Sequence, residues 1–215
     1  MVVAGGSGSR FGRPKQFLDL AGRPVIAWSV AAARTVADGV VVVVPADTDP
    51  AVVDGRPWGA DQVVTGGDTR CASVRAGLAA VPGTAAVIVV HDAARPLAPA
   101  PLWAAVVDAV AADGVDGAIP VLPVADTLKR VVDGTVEATV DRDGMVTVQT
   151  PQAFVAATLR AAHAAGDEAT DDAGLLESLG ATVRTVAGDP RNLKLTRAGD
   201  LAVAEALART VPVAP

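Results

Sequence analysis

Two short strings carry most of the chemistry this sequence offers. The first is Ala4-Gly5-Gly6-Ser7-Gly8-Ser9-Arg10-Phe11-Gly12-Arg13-Pro14-Lys15-Gln16. It follows directly on the apolar pair Val2-Val3, which reads as a very short strand through Ala4. Glycines after a strand let backbone N–H groups approach phosphate oxygens, and Arg10 and Lys15 add fixed positive charge. A Walker A loop needs Gly-Lys-Ser/Thr, but Gly12 is followed by Arg13-Pro14. A dinucleotide fingerprint fits at Gly6 and Gly8 and fails at Phe11, and no acidic residue stands in the first helix where the ribose would need one. What remains is a triphosphate cradle or, more plainly, a glycine turn with two solvated cations.

The second string is His91-Asp92-Ala93-Ala94-Arg95-Pro96, at the end of the apolar run Val87–Val90. An aspartate there suits a Mg²⁺ ion carried by a triphosphate, since Mg²⁺ takes one or two carboxylates beside phosphate oxygens. Arg95 is placed to grip an anionic substrate. A helix-capping aspartate or an Asp–Arg surface pair explains the same residues. His91 reads as structural, and His163, on a helix, as exposed. Thr127, Lys129, Asp141-Arg142, Thr150-Pro151-Gln152, Thr170-Asp171-Asp172 and Asn192-Leu193-Lys194 are further polar groups. Each alone reads as a solvated side chain.

The elements that position these groups follow from the apolar pattern. Helices are expected over Pro24–Val36, over Asp68–Val81 with Asp68 as its cap, and over Pro101–Ala112. Strands are expected at Val40–Val44, Gln62–Thr65 and Val87–Val90. Five consecutive valines ended by Pro45 have no polar face, as in a parallel strand covered on both sides. The alternation predicts an α/β fold with a mostly parallel central sheet between two layers of helices. Ligands of such sheets bind at the carboxyl ends of the strands. Between Val124 and Val148 the alternation stops. Thr127–Val132 and Thr135–Val140, joined by Asp133-Gly134, read as a projecting β-arm. A lone hairpin is marginal in water, so the arm predicts a dimer contact, or else an insertion packed on its own domain. After Pro151 come helices, a strand at Thr182–Val186 and a closing helix from Ala198 to Arg209.

Composition narrows the partners. The chain has 215 residues, 51% apolar and 20% charged, which is the composition of a single folded domain. A net charge of −6 with 3% aromatics offers neither the basic stripe nor the stacking platform of a nucleic-acid binder. The single cysteine, Cys71, falls in line with Val74, Leu78 and Val81 and reads as buried. No apolar run is long enough for a bilayer, and no signal-peptide pattern is visible, so a soluble cytoplasmic protein with no membrane partner is expected.

Taken in order, the polar residues resemble the 2-C-methyl-D-erythritol 4-phosphate cytidylyltransferase family. The resemblance spans nearly the whole chain. It rests on the glycine loop ending in Pro14-Lys15-Gln16, Gly66-Gly67-Asp68 with Arg70 and Ser73, His91 to Pro96, Asp126-Thr127 with Lys129-Arg130, Thr139 to Arg142, Thr150-Pro151-Gln152, Thr170-Asp171 and Asn192-Leu193-Lys194. It implies a Rossmann-like three-layer sandwich, a homodimer joined through the arm, and cytidylyl transfer from CTP to methylerythritol phosphate with Mg²⁺. It implies catalytic roles for Arg10, Lys15, Arg142 and Lys194. Ala4, Gly5, Gly6, Ser7, Gly8, Gly67, Asp68 and Ser73 would hold the nucleotide, and Asp92 the metal. Arg95, Thr127 and Thr170 would meet the acceptor, with Thr127 and Arg142 serving the partner subunit. Two departures stand out: the spacing from Arg10 to Lys15 is short for the family, and Gly5 stands where alanine is common. The nearest alternative acceptor is ribitol 5-phosphate. A nicotinamide-dependent oxidoreductase is the alternative of another class, and a nucleotide-binding protein without catalysis is a third.

Overall fold

A run of side chains that is apolar on both faces needs a layer above and a layer below. The valine run has both. In the computed structural model, which describes residues 1–6, 14–55 and 57–210, Val42 and Val44 pack with Ile26, Val30 and Trp103. Val43, pointing the other way, packs with Cys71, Val74 and Leu78. The alternation of a pleated strand thus feeds two separate cores.

The strands are β1 (Val2–Val3), β2 (Asp19–Leu20), β3 (Arg23–Pro24), β4 (Val41–Val44), β5 (Gln62–Thr65), β6 (Val87–Asp92), β7 (Gly117–Pro123), β8 (Leu128–Val132), β9 (Thr135–Val140), β10 (Val146–Val148), β11 (Gln152–Val155) and β12 (Val183–Ala187). The helices are α1 (Val25–Ala33), α2 (Pro50–Gly55), α3 (Arg70–Ala80), α4 (Ala100–Val110), α5 (Ala156–Ala164), α6 (Asp172–Ser178) and α7 (Gly199–Ala208). The central sheet runs β7-β11-β6-β1-β4-β5, with β10 and β12 both paired to β7. β1 pairs in parallel with β4 and β6, β4 with β5, and β7 with β12. Helices α3, α5 and α6 cover one face, and α1 and α4 the other. This is the expected α/β sandwich with a mostly parallel sheet.

Two expectations need correction, and one strand has no expectation to set against it. The segment after Pro151 begins with β11, not a helix, and β11 lies antiparallel between β6 and β7. Its sequence, Gln152-Ala153-Phe154-Val155, is too short and too mixed to signal a strand, yet Ala153 and Phe154 are fully buried. β7 is hidden in the sequence by Pro120 and Pro123. Pro120 sits where the pairing along one edge of β7 passes from β11 to β10, a place where a missing N–H is tolerated. Finally, α3 is capped by Thr69, whose hydroxyl accepts from the Ala72 N–H at 3.0 Å, and not by the exposed Asp68.

The arm is present as β8 and β9, a separate two-stranded sheet. Its turn has Asp133 at φ 47° and Gly134 at φ 77°, the two positive values that Asp-Gly hairpins adopt. Every residue of both strands is exposed or half-buried, so the arm is not packed into its own domain.

Candidate active site

The carboxyl ends of β1, β5 and β6 carry the glycine loop, Gly66-Gly67 and Asp92. Because β1 lies beside β6, Val3 is in register with Asp92, and Ala4-Gly5-Gly6 leave the sheet next to that carboxylate. Ala4 is held there from both sides. Its N–H donates to Val43 at 2.7 Å, and its carbonyl accepts from the buried Gln16 amide at 2.9 Å. Ser73, in the second turn of α3, closes the other side. Its hydroxyl donates to the Gly67 carbonyl at 3.2 Å. A Cβ at Gly5 would lie 2.8 Å from that hydroxyl, and one at Gly66 2.5 Å from it. Gly5, Gly66, Gly67 and Ser73 therefore meet at one place, and glycine is what lets them approach.

Asp92 is the electrostatic centre. Lys194 Nζ stands 2.6 Å from Oδ2, and Arg70 Nε stands 3.7 Å from Oδ1. Burial works to raise the Asp92 carboxyl, but the two cations outweigh it and bring it down to about 2. The backbone around it is fixed through Thr150, whose hydroxyl accepts from the Asp92 N–H at 3.0 Å. The same hydroxyl donates to His91 Nδ1 at 3.1 Å, while His91 Nε2 donates to the Arg95 carbonyl at 3.0 Å. His91 is thus structural, as expected, and burial brings its imidazole down to about 3.

The segment 192–195 lies against this loop. The Leu195 N–H donates to Ala94 at 2.8 Å, and Lys15 Nζ donates to the Leu195 carbonyl at 2.5 Å. Asn192 is buried and donates to the Thr150 carbonyl at 2.8 Å. Lys15, Lys194 and Asp92, far apart in sequence, are thereby joined through one segment. Arg95 belongs to the same framework. It donates to the carbonyls of Asn192 (2.8 Å) and Val148 (3.2 Å), so its guanidinium fastens the segment.

Other expected residues stand apart. Arg10, Ser7 and Gly8 lie outside the described residues. Thr127 is exposed at the root of the arm, and Arg142 is hydrogen-bonded to the Val124 and Ala125 carbonyls beside it. Thr170 is exposed just before α6, and Asp68 is exposed before α3. Among the described residues, no hydrogen bond or ion pair ties these four to the Asp92 cluster. His163 departs from expectation: it is buried, and its Nε2 lies 2.9 Å from the buried Asp172.

Sequence reading gives Arg70 no role, yet it bridges Asp172 (2.7 Å) and Asp92. One signal is there. Arg70 opens α3, where the helix dipole disfavours a cation unless carboxylates hold it.

Among the described residues no group of three or more His, Cys, Asp or Glu is arranged to hold a metal by itself. A single carboxylate at a strand end, beside a glycine loop, does fit a Mg²⁺ ion that arrives with triphosphate oxygens as its other ligands.

A strand-end site of glycines, cations and one aspartate on a covered α/β sheet is that of a nucleotide-handling transferase. The family model for 2-C-methyl-D-erythritol 4-phosphate cytidylyltransferase matches residues 1–210. The enzyme of that name from Deinococcus radiodurans is 47% identical over 213 residues, covering 96% of this chain and 88% of the relative. The one from Nocardia farcinica is 46% identical over 213 residues, covering 96% and 92%. Among solved structures, the Thermus thermophilus enzyme of the same name superposes with a TM-score of 0.83 at 38% identity, covering 97% of each chain. The chain belongs to the 2-C-methyl-D-erythritol 4-phosphate cytidylyltransferase family.

Proposed function

We propose that this protein transfers the cytidylyl group of CTP to 2-C-methyl-D-erythritol 4-phosphate and releases pyrophosphate, a step of isoprenoid precursor synthesis. The observation that carries the reading is that Lys15 holds the segment from which Lys194 reaches Asp92, beside the close approach of Gly5 and Gly67 to Ser73. The family match supplies the two substrates.

The acceptor is a phosphate monoester, already anionic near neutral pH, so no general base is needed. One of its oxygens attacks the α-phosphorus of CTP. The bond from that phosphorus to the bridging oxygen breaks, and pyrophosphate leaves with the electron pair. Repulsion between two anions is the main obstacle, and fixed cations with good positioning remove it. Lys15 and Arg10 offset charge on the triphosphate. Lys194 and Arg142 position the acceptor phosphate, with Thr127 and Thr170 beside it. Asp92 would hold Mg²⁺ together with the triphosphate, and the ion would supply charge neutralisation there. Arg95 acts by holding segment 192–195 in place.

The working form in this reading is a cytoplasmic homodimer, placed where CTP is made. Val131, Val132, Val136, Met145 and Val146 on and beside the arm are large, apolar and exposed, which favours a partner subunit covering them. Thr127 and Arg142, at the arm's root, then serve the partner's site. No described helix is long and apolar enough to cross a membrane.

The test is pyrophosphate release with CTP and either methylerythritol phosphate or ribitol 5-phosphate, with ATP, GTP and UTP as nucleotide controls. Release is expected with the first pair, lost on chelation and restored by Mg²⁺. Release only with ribitol phosphate reassigns the acceptor. No release with either pair overturns the reading.

A further inference from the structure

Behind Asp92 runs a line of polar side chains that the transfer chemistry described so far does not use. His163 Nε2 is 2.9 Å from Asp172 Oδ1, and Arg70 Nη2 is 2.7 Å from Asp172 Oδ2. Arg70 Nε then faces Asp92 Oδ1 at 3.7 Å. Asp172 has no exposed side-chain surface, and His163 has 2%. A buried carboxylate is a poor device for stability, because apolar side chains of the same volume often do as well. What this line supplies is direction. Asp172 fixes one end of the planar guanidinium, and planarity then fixes where Nε points.

The two cations on Asp92 differ in kind. Lys194 reaches Oδ2 on a flexible stem and is 42% exposed, whereas Arg70 is 24% exposed and anchored. If Lys194 turns to an acceptor phosphate, Arg70 is the cation that stays. Arg70 also opens the helix that carries Ser73, so it links the nucleotide side of the site to Asp92.

We propose that Arg70 is a positioning residue of the transfer reaction: buried Asp172, steadied by His163, orients its guanidinium, and Arg70 fixes the Asp92 carboxylate through the oxygen that Lys194 does not hold. The inference rests on the cytidylyl-transfer reading above.

The test compares wild type with Arg70→Lys, Asp172→Asn, His163→Asn and the two double variants that combine Arg70→Lys with each of the others. Steady-state kcat and KM are measured, with CTP binding by calorimetry in the absence of acceptor and melting curves for folding. Arg70→Lys and Asp172→Asn should each lower kcat about 10- to 100-fold, the range seen when a partner of an active-site ligand is removed. CTP affinity and its KM should stay within about threefold, because the interaction acts on the Asp92 carboxylate and not on the base. Each double variant should be no slower than Arg70→Lys alone, since the buried pair acts only through Arg70. A purely structural role would multiply the losses and move melting temperature without splitting kcat from KM. Should Asp172→Asn fail to fold, His163→Asn and its double variant decide the same question. Folded Arg70→Lys with kcat within about twofold of wild type, or losses that multiply, overturns the inference. A wild type that releases no pyrophosphate overturns the functional reading instead.

Discussion

His91 shows how a buried neutral side chain sets the ground for a charged neighbour. Burial holds its imidazole at about 3, against an ordinary 6.5. Between those values the unfolded chain binds a proton that the folded chain refuses. Its contribution is therefore intact above the ordinary value of 6.5 and is lost progressively as pH falls toward 3. At about pH 5 the loss is about 2 kcal/mol. Denaturation in metal-free buffer should show stability falling from about pH 7 to about pH 5, and His91→Asn should flatten that slope. Equal slopes in the two proteins would refute the assignment. Lys15 makes a separate prediction. Lys15→Ala should lower kcat by roughly 10²-fold, as loss of a donor to developing charge does. Turnover equal to wild type would remove Lys15 from the chemistry. Residues such as Lys15, Asp92 and Lys194 are legible because they stand in ordered strings beside strand ends. The pairings beneath them are not. Arg70 and Asp172 are 102 positions apart, and only the packing of α3 against the start of α6 brings them together.

At the scale of elements, legibility follows burial on both faces. β4, β5 and β6 announce themselves as apolar runs between turn residues, and Asp133-Gly134 announces the hairpin. β7 and β11 do not, although they form the centre of one half of the sheet. Phe154 in β11 lies over Gly117 in β7, where a Cβ would come within 2.7 Å of its ring. That fit is a property of two strands together, and no single segment reports it. The hairpin raises the question of what covers it. Val131 and Val136 are cross-strand neighbours, 55% and 58% exposed. Val131→Asp with Val136→Asp should leave the domain folded, since the arm is a sheet of its own, and should shift a dimer toward monomer in light scattering. If Thr127 and Arg142 act across the interface, activity falls with the dimer. A variant that stays dimeric and active would assign the arm another task.

For the whole molecule, charge and site pull in opposite directions. The chain carries a net −6, yet Lys15, Lys194 and Arg70 are gathered around Asp92 and the segment 192–195 that lies against it. A triphosphate must therefore be recognised by local cations against an overall repulsion, and its binding should weaken as salt screens them. Binding to the folded state alone stabilises it by mass action, about 2.7 kcal/mol at roughly a hundredfold excess over Kd. For a domain of this size, each kcal/mol moves Tm by about 2–4 °C, so saturating CTP with Mg²⁺ should raise Tm by roughly 5–10 °C. NAD should leave it unchanged, because the loop lacks the spacing that seats a dinucleotide. The rise should shrink at high salt and in Lys15→Ala. A larger rise with NAD than with CTP would mean that the glycine loop beside Ser73 holds a different nucleotide. An equal rise with CTP, ATP and UTP would mean that Gly67, Asp68 and Ser73 do not read the base.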